Sequence, residues 1–156
     1  MITDALLALS GSITGNTVTG QAVFGSGTSV LSTNTVDLGI TRDLGAGSDL
    51  VFGRFEITTA FTGGTSAEFQ IITADDAALT TNIKVVGTTG AIAVALLTAS
   101  ARFACQINPV IGSKGQRYIG GRTVNVGANT AGSIYADLGA EIQDGQKFYA
   151  SGFAVL

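Results

Sequence analysis

Histidine is absent from this chain of 156 residues, and cysteine occurs once, at position 105. That removes serine–histidine–aspartate and cysteine–histidine nucleophiles, imidazole metal ligands and the usual near-neutral general base. Carboxylates, hydroxyls and phenols remain. Glu56 and Glu68 form a nominal carboxylate pair, but both occupy polar positions of alternating segments, where solvated glutamates are expected. Asp75 and Asp76 are adjacent, and neighbours on a turn point in different directions, so they read as acids at the start of a helical turn. Asp37, Asp43 and Asp49 lie among glycines but lack the alternate ligand positions and closing glutamate of a calcium loop. Asp43 or Ser48 is expected to cap a turn, and no metal is expected. The GSG at residues 25–27 has no third glycine at the required spacing and no following Lys-Ser/Thr, so no nucleotide or other cofactor is expected. Cys105 falls on the apolar side of RFACQIN (102–108), with Phe103 and Ile107, and reads as an inert core thiol.

Strands must position these residues. Residues 50–75 read LVFGRFEITTAF, TGGTS, AEFQIITAD. Val51, Phe55, Ile57, Phe61, Ala67, Phe69 and Ile71 alternate with Arg54, Glu56, Thr58, Glu68 and Gln70, which gives one buried face and one wet face. With a glycine-rich reversal between the runs, the segment reads as a long β-hairpin. Further strands are expected at 34–39, 82–87, 102–108, 116–127 (with a bulge at Gly120 and Gly121), 131–138 and 147–155. The run AIAVALL (91–97), following a turn at 88–90, is apolar on both faces, which suits a strand covered on both sides, by the facing sheet and, on the other side, within the subunit or by a partner subunit. Strands of such variable length with frequent turn signals indicate an all-β jelly-roll sandwich of about eight strands.

The first 29 residues are looser. Ile2, Leu6 and Leu9 have helical spacing, predicting a two-turn helix that docks on its own domain or reaches across an oligomer interface as an arm. Residues 11–29 (GSITGNTVTGQAVFGSGTS) offer few anchors, Ile13, Val18, Val23 and Phe24, and read as an extended segment that orders against a partner. One domain spanning residues 1–156 is expected, with this arm and loose segment at its start.

Charge narrows the partners. Lys and Arg number 8, Asp and Glu 11, and the net charge is −3. The basic residues are scattered, so neither nucleic acid nor an anionic membrane has a cluster to bind. The opening MITDALLALS lacks the basic region of a secretory signal, and no run approaches the ~20 apolar residues that span a bilayer. A single cysteine and a mean hydropathy of +0.43 fit a packed protein made in a reducing cytoplasm.

The blocks MITDALLALS (1–10), STNTVDLG (32–39), TRDLGAG (41–47), TGAIAVALLTA (89–99), GQRYIGG (115–121), TAG (130–132) and YASGF (149–153) occur in this order. In that order the chain resembles, from end to end, the jelly-roll capsid cement (decoration) proteins of short-tailed bacteriophages. The resemblance implies a homodimeric subunit on the outside of a phage head, clamping neighbouring copies of the major capsid protein after assembly in the bacterial host cytoplasm. It brings no catalytic residues, and the chain is not expected to be an enzyme. From apolarity and looseness, contacts are expected at Ile2, Leu6, Leu7, Leu9, Val18, Phe24, Arg42, Asp43 and Asp49. The alternative is a carbohydrate-binding jelly-roll module, a head or tail adhesin, with Tyr118, Tyr135 and Tyr149 as stacking platforms but without tryptophan.

Overall fold

A computed structural model describes residues 5–15, 17–46, 50–109 and 115–140. Among them are twelve strands: β1 (Ala8–Ser10), β2 (Ser12–Thr14), β3 (Thr17–Thr19), β4 (Gln21–Ala22), β5 (Ser29–Leu31), β6 (Val36–Arg42), β7 (Phe52–Gly63), β8 (Ser66–Ala74), β9 (Lys84–Ala93), β10 (Arg102–Gln106), β11 (Gln116–Val126) and β12 (Asn129–Gly139). One sheet runs β1-β12-β7-β10, with β4 sharing β12 with β1. The other runs β5-β11-β8-β9, with β6 sharing β11 with β5. Counting β1 with β4, and β5 with β6, as split strands leaves four positions per sheet. The chain changes sheet after β4, β6, β7, β9, β10 and β11, which is the order of a jelly-roll β-sandwich. The strand expected at 147–155 and the turn before it lie outside the described residues.

Alternation chose the buried faces correctly. Phe55, Ile57 and Phe61 of β7 and Ala67, Phe69 and Ile71 of β8 are all buried. They do not form a hairpin, however. β7 pairs with β12 and β10, and β8 with β11 and β9, so the loop at residues 64 and 65 is an arch that carries the chain between sheets. The two odd faces look at each other across the core. Phe69 lies 5.3 Å from Phe55 and 6.0 Å from Phe61, ring centre to ring centre, and 6.1 Å from Phe103. Each such side chain contributes roughly 1.5–3 kcal/mol on burial. An arch satisfies both apolar faces with one another, where a flat hairpin would need a third layer.

Four further expectations change. Ala5–Leu7 is a single 3-10 turn, and Leu9 belongs to β1, completely buried in its own core. Its place among the partner contacts is therefore corrected: Ala8 faces Asp137 and Ser10 faces Ala136, which points Leu9 inward. Residues 11–29 hold three short strands and the start of β5, and end hydrogen-bonded to their own domain, with Gly27 N donating to Gly127 O at 3.0 Å. The turn at 88–90 is a bulge within one long strand, because Glu68 faces Ala91 while Gln70 faces Thr88. Gly90 takes the positive φ of +69° that the extra residue needs. Gly120 and Gly121 make no bulge, since they pair in unbroken register with Ile72 and Ile71. Their lack of side chains leaves room for Leu79 and Ser32, because a Cβ on Gly120 would collide with the Leu79 side chain. Leu79 thereby folds back over the outer face of the sheet and forms a second small core with Ile72 and Ala74.

A candidate docking surface

The carboxylates singled out above are held apart by the two sheets. Glu56 lies on the outer face of one sheet, where Arg102 Nε donates to it at 3.1 Å. Glu68 lies on the outer face of the other, accepting hydrogen bonds of 2.6 Å each from Gln70 and Thr88. Those bonds hold its carboxyl below the usual range. The whole sandwich separates the two glutamates. Asp76 accepts from the backbone N–H groups of Thr80 and Thr81 at 2.9 and 2.7 Å, which makes it the cap of the turn carrying Leu79. Asp75 accepts from Gln116 Nε2 and Asn82 Nδ2. Asp37 receives both Nε and Nη2 of Arg117 at 2.7 Å, and this guanidinium brings its pKa down to about 2. Asp43 accepts from Gly45 N at 3.0 Å, as a turn cap does. Among the described residues no group of three or more cysteine, aspartate or glutamate side chains is arranged to hold a metal.

Cys105 is buried on the inner face of β10, and burial pushes its thiol up to about 11. The fully desolvated charges form a structural pair. Arg54 donates from Nε and Nη2 to Asp137 at 2.7 and 2.6 Å, with the aspartate side chain 3% exposed. Sequence inspection missed it because the partners are 83 positions apart and each looks like an ordinary wet-face residue. Burial pushes the Asp137 carboxyl above the usual range, with Arg54 opposing that shift. Of the phenols, Tyr135 is buried and Tyr118 is half-buried beside Arg117, and they sit on different sheets. Tyr149 lies outside the described residues. An open groove of about 230 Å³ between residues 84–88 and 108–109 is smaller than the roughly 300–1,000 Å³ of ordinary ligand pockets, and among the described residues Lys84 is the only ionisable side chain lining it.

What the described surface does present is apolar. Leu6, Phe24, Ile40, Leu50, Leu96 and Val126 are large and between 46% and 84% exposed. The expected contact residues divide accordingly. Leu6, Val18, Phe24 and Arg42 are exposed, Leu7 and Asp43 are half-buried, and Ile2 and Asp49 lie outside the described residues. The exposed four are not together. Leu6 and Arg42 sit at the end of the sandwich where β12 finishes and β11 starts, and Phe24 sits near the opposite end. Val18 is carried by the β2–β3 hairpin, which leaves the edge of β12 between β1 and β4 and whose described residues are exposed or half-buried. The run at 91–97 is covered on its inner side by Ile92, Val94 and the core, whereas Ala91, Ala93, Ala95 and Leu96 are open to solvent.

No curated protein matches the chain. The family model Bbp16 matches residues 17–138, most of the sequence, and the protein belongs to the Bbp16 family.

Proposed function

We propose that this protein is a structural virion component, a cement protein that binds the outside of an assembled phage head and bridges neighbouring copies of the major capsid protein. The observation that carries the reading is the surface: large apolar side chains stand exposed, while the described carboxylates are engaged as caps, in ion pairs or by neighbouring amides and hydroxyls. Membership of the Bbp16 family and the end-to-end resemblance to cement proteins agree with it. A molecule that bridges must touch two neighbouring shell subunits at once. A homodimer strengthens the effect, since a second contact forms at high effective concentration once the first is made. Binding only the assembled shell stabilises it by mass action. Adding the purified chain to heads lacking it is expected to raise their disruption temperature in a concentration-dependent way. No rise at saturation would remove the proposal. Sedimentation velocity of the free chain tests the dimer.

A further inference from the structure

The loop between β8 and β9 is held down by a single side chain. Of residues 75–83, only Leu79 is buried, at 1% exposure. Its seat is the outer face of the β5-β11-β8-β9 sheet, where it packs on Ile72 and Ala74 with Leu31 and Tyr118 alongside. A sheet with one wet face carries polar residues there, yet Ile71 and Ile72 point to opposite faces and both are completely buried. Gly120 deepens the seat, because a Cβ at that position would meet the Leu79 side chain. With Leu79 withdrawn, Ile72 and Ala74 would face water across a recess floored by glycine. Val85, the ladder neighbour of Ile72 and 45% exposed, extends that apolar surface.

Otherwise the loop is tied mainly to itself. Asp76 accepts from Thr80 N, Thr81 N and Thr80 Oγ1 at 2.9, 2.7 and 2.8 Å. Leu79 N donates to Asp76 O, and Asp75 N to Thr81 O, each at 3.1 Å. Both ends are pinned by Gln116, whose Nε2 donates to Asp75 at 3.0 Å and to Asn82 O at 2.6 Å. Between those ends the described polar tie to the rest of the fold is Thr35 Oγ1, donating to the exposed Ala77 O at 2.9 Å. Reaching the seat also strains the backbone. Leu79 takes a φ of +56° and Asn82 one of +52°, the left-handed region that residues other than glycine rarely adopt. Pinned ends, internal bonding and one strained anchor place the loop among the elements that open before the rest of a fold does.

We infer that residues 75–83 are a latch, which opens as a unit while the sandwich stays folded, draws Leu79 out and uncovers the apolar recess on the outer face. Two measurements on the full chain test this. In native-state hydrogen exchange, the amides of Asp75, Leu79, Thr80 and Thr81 are expected to share one opening equilibrium, at least about a hundredfold more open than that of the β8–β11 ladder. In labelling with the thiol reagent DTNB, an Ala74→Cys variant reports on the recess, and Cys105, buried on the inner face of β10, is the internal control. The Ala74→Cys thiol is expected to be as protected as the Leu79 amide and to react at least about a hundredfold faster than Cys105. Loop amides that exchange only with the ladder, or an Ala74→Cys thiol that reacts only together with Cys105, show opening by global unfolding alone and overturn the latch. A thiol that reacts as fast as in the unfolded chain overturns it too, because the recess is then never shut. If Ala74→Cys melts far below wild type, the wild-type amides decide by the same criterion.

Discussion

Arg54 and Asp137 show how far a side chain's role depends on what covers it. Both project from the outer face of their sheet, yet Asp137 is almost fully buried. Removing one member leaves the other as an uncompensated buried charge, so Arg54→Met is expected to cost about 3 kcal/mol or more in urea unfolding. The deficit should shrink in mild acid, because protonating Asp137 removes the stranded charge. Asp37 behaves oppositely to Asp137. Its folded pKa, about 2, lies below its ordinary value of 3.8, so its contribution is present above that value and disappears as pH falls through the window. Asp75, Asp76 and Glu68 shift in the same direction. Asp137, shifted upward, favours the folded state less as pH rises past 3.8. The melting temperatures of wild type and Asp37→Asn are expected to differ at neutral pH and to converge by about pH 2, as thermal melts across that range will show.

At the scale of elements, alternation at 50–75 was legible because facing depends only on a strand's own residues. Pairing was not, because an arch and a hairpin place the same residues inward and differ only in which distant strand completes the ladder. Gly120 and Gly121 were misread for a related reason. They looked like a local irregularity, and the cause is Leu79, 41 positions earlier by subtraction. Gly120→Ala is therefore expected to destabilise by about 1–3 kcal/mol alone and by much less in a Leu79→Ala background, a non-additivity that a double-mutant cycle measures. Leu9 was assigned to a helix because Ile2, Leu6 and Leu9 keep helical spacing, although a three-residue strand is too short to show a period of its own. The expected contact residues could be chosen only from apolarity and looseness, since nothing in a sequence tells which end of a fold a loop occupies. The β2–β3 hairpin, open on its sides, adds little to the fold. Replacing residues 12–19 with two glycines is expected to leave the melting temperature within a few degrees of wild type.

The whole molecule is held together by pairings between strands that lie far apart in the chain. The arch has a temporal consequence as well. Neither half of the 50–75 segment has its main ladder partner until β11 and β12 exist, so a nascent chain carries its aromatic residues unshielded until those two strands are made. Folding of this kind, dominated by distant pairings, takes milliseconds to seconds rather than microseconds. The subunit thus reaches its folded shape only after β11 and β12 have been made, and every earlier stage of the chain is an open half-sandwich.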